Sequence, residues 1–139
     1  MKPFDYYLKN GEVKKVSVDS ALSESLVKDM KNRISKVDLL DINIFPKIIY
    51  ENVYDALRAF CDAVLAANGF KSYSHSASIA YLEKLGFDVV FIGEFDQFRY
   101  KRNSSKYYGH NVYVGDAKAI REFFKENEVK INGVIGGLK

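Results

Sequence analysis

Residues 46–69, PKIIYENVYDALRAFCDAVLAANG, decide the fold of this chain. Their apolar side chains recur every three or four positions, which is the spacing of one buried helix face. Pro46 suits the first turn of a helix, where its missing N–H costs no hydrogen bond, and Asn68-Gly69 is a common helix stop. The apolar stripe consists of Ile49, Val53, Ala56, Leu57, Phe60, Val64 and Ala67. The segment therefore predicts one long buried helix at the centre of a helical bundle.

Four further segments show a helical spacing of apolar residues. They lie at about residues 20–38, 74–85 and 90–108, and in a stretch that starts after Gly115-Asp116. Gly86 and Gly109 are suited to end the second and third of these helices. Short connections favour antiparallel neighbours, so the sequence predicts an all-α, up-and-down bundle of about five helices.

The two ends of the chain are less regular. Residues 4–16 alternate around Asn10-Gly11, a dipeptide that favours hairpin turns because both residues tolerate positive φ. We therefore expect a short N-terminal β-hairpin or an extended arm over residues 1–18, before a helical core at about 20–126. The tail from Lys130 fits either a short strand or a loose end.

The length and composition suit a single domain over residues 1–139, because 47% of the 139 residues are hydrophobic. The net charge of +3 permits contact with nucleic acid without demanding it. Cys61 is the only cysteine, which excludes an intramolecular disulfide and a multi-cysteine metal site. No run approaches the roughly 18 apolar residues of a membrane span. We therefore expect a soluble cytoplasmic protein with neither a metal nor a cofactor.

A basic segment ends the fourth predicted helix. Residues 98–110, FRYKRNSSKYYGH, contain two arginines, two lysines and no acidic residue. One helix face collects the side chains that we call the basic strip, namely Arg99, Arg102, Asn103 and Lys106. Like charges at this spacing cost about 0.2–0.5 kcal/mol per pair. A sequence that accepts this cost suggests a bound anion, for which phosphate is the obvious candidate.

The side chains of this segment suit a phosphate-bearing ligand. Arginines such as Arg102 offer a planar fork of donors that matches two phosphate oxygens. Asn103 can orient such an arginine, or touch a base or a ribose. A histidine such as His110 could pass a proton to or from a ribose hydroxyl. Tyr107 could stack on a base or pack against another helix.

The same residues also have a purely structural interpretation. The basic strip can be a solvated helix face in which Asp96 pairs with Arg99, three residues later. His75, near the start of the third helix, can likewise be a capping or packing residue, and the alternatives are a catalytic role or a contact with a partner or ligand. The sequence leaves both interpretations open.

Several segments resemble the HEPN domain family. The resemblance covers about residues 20–126, in the expected order, and is carried by Glu51–Arg58, Asn68–His75, Tyr81-Leu82 and above all Arg99–Asn103. It implies a bundle of about five helices that pairs with itself as a homodimer. Many relatives are metal-independent ribonucleases, often toxins paired with a small nucleotidyltransferase antitoxin. The resemblance thus implies such a partner protein as well.

The ribonuclease members of that family share an arginine, usually a polar residue directly after it, and then a histidine after four to six intervening residues. Arg102 matches the arginine and Asn103 the polar residue. Seven residues separate Arg102 from His110, and Tyr107 occupies the position five after the arginine. Arg102 and His110 are nevertheless the catalytic candidates that the resemblance implies.

The sequence therefore favours one function and leaves two alternatives. The favoured function is nucleotide or RNA binding by Arg99, Arg102, Asn103, Lys106 and Tyr107, without efficient catalysis and in concert with a nucleotidyltransferase. The first alternative is a metal-independent endoribonuclease that uses Arg102 and His110. The second is a structural protein-interaction module whose basic strip meets an acidic partner.

Overall fold

The computed structural model describes residues 1–138, apart from the side chain of Tyr107. Within this range the chain forms six α-helices and a two-stranded antiparallel sheet, which confirms the predicted all-α bundle. The elements are α1 (Phe4–Lys9), β1 (Val13–Lys15), α2 (Ser20–Val37), α3 (Pro46–Ala67), β2 (Phe70–Ser72), α4 (His75–Ala80), α5 (Val89–Tyr108) and α6 (Val114–Gly136). A 3-10 helix over Tyr81–Leu85 continues α4, so the predicted third helix is present in two parts.

Helix α3 is the centre of the bundle. It packs most extensively against α2 and α6. Ile49, Val53, Leu57 and Phe60 of the predicted stripe are fully buried. Burying an apolar side chain of this size stabilises the fold by about 1.5–3 kcal/mol. The α3 stripe thus holds the bundle together and fixes the polar side chains that lie between its buried positions.

Helix α5, which carries the basic strip, begins and ends at local signals. The side chain of Asp88 accepts a hydrogen bond of 2.8 Å from the backbone N–H of Phe91. Gly109 ends the helix with a φ of 70°, in the left-handed region that glycine tolerates best. The rings of Phe91 and Phe123 stack at 4.9 Å between centroids, which joins α5 to α6. This packing determines which face of α5 is turned towards α3.

The N-terminal segment supplies one strand of the sheet. β1 pairs with β2, and Val13 lies opposite Ser72. The residues before Asn10-Gly11 form α1 rather than a strand. Phe4 and Tyr7 are both buried, because residues three positions apart in a helix lie on the same face. The partner strand of β1 therefore follows α3, about 57 residues further along the chain than β1 itself.

The segment after β1 is held against the end of α3. The backbone N–H of Val16 donates to the Gly69 carbonyl at 2.8 Å, and that of Asp19 donates to the Ala66 carbonyl at 3.0 Å. Gly69 has a φ of 78°, and a Cβ there would lie 2.9 Å from the Val16 carbonyl oxygen. Only glycine suits this close approach of two backbones.

Helix α6 runs to Gly136, so the tail from Lys130 is helical. Ile131 is fully buried, because it continues the inward face that begins with Ala117 and Ile120. None of the described helices is long and apolar enough to cross a membrane.

Candidate functional site

The basic strip lies against α3 and the start of α4. The hydroxyl of Tyr50 on α3 donates to the Phe98 carbonyl on α5 at 2.7 Å. The guanidinium carbon of Arg102 lies 5.2 Å from the centre of the Tyr54 ring. Only 11% of the Arg102 side chain is exposed. At Arg102 the strip is therefore part of a helix interface and not a fully solvated face.

The side chain of Arg102 is held by one carboxylate, and one of its N–H donors has no acceptor within the described part of the chain. Its Nη2 lies 3.3 Å from Oδ1 of Asp55 on α3. Its Nε is buried and has no hydrogen-bond partner within the described part of the chain. The Oγ of Ser105, one turn further along α5, is also buried and without a partner there. An unsatisfied buried polar group costs about 1–3 kcal/mol, so an acceptor at this point would stabilise the site.

Asp55 is shared between two arginines. Besides Arg102, it lies 3.8 Å from Nη1 of Arg33 on α2. Arg33 also donates to Asp29 at 3.0 Å and to Asn52 at 2.8 Å. This network ties α2, α3 and α5 together and holds the guanidinium of Arg102 in one position.

The remaining members of the basic strip differ in their surroundings. Nε of Arg99 lies 2.7 Å from Oδ1 of Asp96, the ion pair that the structural interpretation of the sequence expected. Asn103 is half-buried and Lys106 is exposed. The side chain of Tyr107 lies outside the described residues. The strip is therefore divided: Arg99 is paired on its own helix, while Arg102 is paired across the helix interface.

His110 lies beyond the end of α5. It follows Gly109 and is exposed. Its backbone N–H donates to the Ser104 carbonyl at 3.3 Å and so helps to cap the helix. The guanidinium of Arg102, in contrast, is turned inwards to Tyr54.

The imidazole beside the basic strip is that of His75, the first residue of α4. Its Nδ1 lies 3.0 Å from the Tyr54 hydroxyl. Burial, and after it the positive charges of Arg58, Arg102, Arg99 and Lys106, together lower the pKa of His75 to about 4. His75 is therefore neutral at pH 7. We call Tyr54, Arg58, His75 and Arg102 the His75 cluster.

The tautomer of His75 follows from its partner. Burial raises the pKa of Tyr54, so its hydroxyl keeps its proton. That hydroxyl has no other acceptor among the described residues, so it donates to Nδ1 of His75. The proton of the neutral imidazole is then on Nε2. The His75 cluster thus offers N–H donors from an imidazole and from arginines, which is a suitable arrangement for an anionic oxygen.

A cavity of about 680 Å³ opens next to the His75 cluster. Arg58 and His75, which belong to the His75 cluster, also line this cavity. Its walls come from the segment between β1 and α2, from α2, from the second half of α3, and from β2 through the first turn of α4. The cavity is also lined by Asp19, Leu22, Leu26, Asp62, Leu65, Phe70, Lys71 and Tyr73.

Sequence reasoning missed the α3 side of this site. Tyr54, Asp55 and Arg58 are polar side chains in a segment that was interpreted through its apolar stripe. Their spacing along the helix was the available signal, because polar residues between buried positions of a central helix must meet another helix. His75 was interpreted as a capping or packing residue; the structure adds the nearby positive charges.

Comparisons with protein families, with curated proteins and with solved structures find no match for this chain. Among the described residues, no group of three or more histidine, cysteine, aspartate or glutamate side chains could hold a metal ion. The His75 cluster and the cavity are therefore the features that indicate a function.

Proposed function

We propose that this protein binds the phosphate groups of a nucleotide or of RNA at the His75 cluster and the basic strip, without efficient catalysis. The observation that carries the proposal is Arg102. Asp55 and Tyr54 fix its guanidinium, while its buried Nε has no acceptor within the described part of the chain. A phosphate oxygen is an acceptor of the required charge.

The surroundings of Arg102 favour an anion over a neutral ligand. Four cationic side chains lie near enough to His75 to lower its pKa. In a partly buried site these charges repel one another more strongly than in water. The carboxylates of Asp96, Asp55 and Asp62 offset part of this repulsion. A bound phosphate would relieve the remainder while it accepted hydrogen bonds from Arg102 and from Nε2 of His75.

The protonation state of His75 favours binding over cleavage. With a pKa of about 4, roughly one His75 side chain in a thousand carries a proton at pH 7. A general acid for RNA cleavage should have a pKa near the working pH. His75 is therefore suited to donate a hydrogen bond to phosphate and poorly suited to protonate a leaving group.

A homodimer and a nucleotidyltransferase partner are further proposals, supported by the resemblance to the HEPN family. A homodimer would bring two copies of α5 to one cleft and double its positive charge. Sedimentation at micromolar concentration tests this proposal, and a monomer would contradict it.

The binding proposal is tested with a labelled single-stranded RNA of about ten nucleotides, by fluorescence anisotropy at several salt concentrations. Arg102→Gln should weaken binding by about tenfold or more and should reduce the salt slope by about 0.7, because one phosphate contact is lost. Arg121→Gln on α6 removes the same charge elsewhere and should change the affinity by less than about twofold.

Two outcomes would contradict the proposal. One is a wild-type protein that binds neither RNA nor nucleotide at low salt. The other is equal weakening by Arg102→Gln and Arg121→Gln. Arg58→Gln tests the loss of a cation from the site without a loss of stability. Because 46% of the Arg58 side chain is exposed, this substitution should leave the melting temperature nearly unchanged.

A further inference from the structure

One wall of the cavity beside the His75 cluster is apolar. Leu22 and Leu26 are four residues apart on α2 and line the cavity together with Leu65 and Phe70; we call these four residues the leucine wall. Leu22 remains 48% exposed, so apolar surface is available to a ligand. The volume of about 680 Å³ is within the range of roughly 300–1,000 Å³ for small-molecule sites. A flat, weakly polar group would remove this surface from water.

The cavity also has a cationic side with an aromatic ring at its edge. Arg58 and Lys71 both line it. Tyr73 is 59% exposed, and the ammonium groups of Lys14 and Lys71 lie 5.7 and 5.5 Å from the centre of its ring. An exposed ring flanked by lysines is typical of surfaces on which a base stacks while its phosphate meets a positive charge.

Two carboxylates limit the charge of the ligand. Asp19 and Asp62 line the same cavity, and Asp62 lies 3.9 Å from Nε of Arg58. Partial burial raises the pKa of Asp62, whose side chain remains 36% exposed. These acids disfavour a ligand with several phosphates, and they can accept hydrogen bonds from the amino group of a base or from a ribose hydroxyl.

We propose that this cavity holds one unstacked nucleoside monophosphate unit. The base lies between the leucine wall and Tyr73, and the single phosphate lies at Arg58 and Lys71. The inference rests on the proposed function, which it deepens by naming the unit that is bound. The unit can be a free nucleoside monophosphate or one nucleotide of a single-stranded RNA. Both sources share the same chemistry, and the experiment distinguishes them.

The test uses the full chain and a matched pair of substitutions. Leu22→Glu introduces a charge into the apolar wall at an exposed position, whereas Leu39→Glu makes the same change at a leucine that is 84% exposed and does not line the cavity. Calorimetry measures the binding of adenosine and cytidine monophosphates, and anisotropy measures the binding of the labelled RNA. Thermal melting checks that both variants remain folded.

The expected result is an affinity that falls by about tenfold or more in Leu22→Glu and by less than about twofold in Leu39→Glu. Tyr73→Ala should weaken binding by about tenfold, because base stacking is lost. If the loss is seen with free monophosphates, the ligand is a free nucleotide. If it is seen with RNA alone, the cavity takes a nucleotide of a strand. Either result supports the inference.

Other outcomes would overturn the inference about the cavity, and they can be distinguished from failure of the proposed function. If RNA binds with equal affinity to Leu22→Glu and Leu39→Glu and no monophosphate binds, the cavity is not the site, while phosphate binding by Arg102 stands. If dodecanoate binds the cavity and nucleotides do not, the leucine wall serves an acyl chain. If the wild type binds neither RNA nor nucleotide, the inference and the proposed function both fail.

Discussion

Acidification should destabilise the fold through His75, whose side chain lies between Tyr54 and several cationic groups. Burial and the neighbouring positive charges lower its pKa to about 4 in the folded protein, from the ordinary value of about 6.5. Between these two values the unfolded chain binds a proton that the folded chain does not. The stability that His75 contributes is therefore complete above pH 6.5 and is lost as the pH falls towards 4.

The magnitude follows from the difference in pKa. A shift from about 6.5 to about 4 corresponds to about 3 kcal/mol, at roughly 1.4 kcal/mol for each unit. His75 is only partly buried, so solvent screens the charges that act on it. We therefore expect a loss of about 1–2 kcal/mol in the free energy of unfolding that depends on His75.

Urea denaturation at a series of pH values between about 7 and 4.5 measures this loss. His75→Gln removes the titrating group, so its stability should fall less steeply with pH than that of the wild type. His110→Gln is the matched control, because it replaces the exposed histidine at the end of α5 and should keep the wild-type profile. The imidazole resonances in NMR spectra give the pKa of His75 directly, with the two variants providing the assignment.

Two results would refute this reasoning. The first is a His75 resonance that titrates at or above about 6.5 in the folded protein. The second is a His75→Gln variant with the same dependence of stability on pH as the wild type. Either result would mean that neither burial nor the nearby cations lower the pKa of His75, so the charge around it would give no support for an anion site.

Three other predictions concern the site and the sheet. Asp55→Asn should lower the free energy of unfolding by about 1–3 kcal/mol and yet raise the affinity for RNA, because no carboxylate then competes with phosphate for Arg102. Denaturation measures the change in stability, and anisotropy measures the change in affinity. A lower affinity for RNA would contradict the proposed competition. Gly69→Ala should cost about 1–3 kcal/mol and more than Gly11→Ala, whose added Cβ meets nothing within 4 Å, as thermal melting would show. His110→Ala should bind RNA with wild-type affinity, and wild type should yield no cleavage products in the presence of a chelator; cleavage that His110→Ala abolishes would instead support the ribonuclease alternative.

Local features of the sequence were sufficient to predict the main helices. The apolar stripe of α3, the stop at Asn68-Gly69 and the glycines that follow the third and fourth helices are signals between near neighbours in the chain. Helices α2, α3 and α5 therefore begin and end close to the predicted residues, whereas α6 runs to Gly136, beyond the predicted end of the helical core at about residue 126. The tail from Lys130 is neither the short strand nor the loose end that its sequence suggests, because its helix depends on the burial of Ile131 by other parts of the chain.

The sheet could not be predicted in the same way. The dipeptide Asn10-Gly11 correctly indicates a change of direction, and Gly11 does adopt a positive φ. The strand that pairs with β1 comes from beyond α3, however, and no local pattern specifies a partner at that distance. The residues before the turn form a helix because Phe4 and Tyr7 are buried in the core together.

The candidate site shows the same division between local and distant information. The sequence by itself determined that α5 carries a strip of cationic side chains and that Arg102 is one of them, since helical spacing alone brings residues three or four apart to one face. Only the tertiary structure decided that Arg102 turns inwards to Asp55 and Tyr54, and that His75 is the imidazole beside it. These contacts join α3, α4 and α5, and they depend on how the apolar faces of the helices pack. Side chains far apart in the chain meet only after that packing is complete.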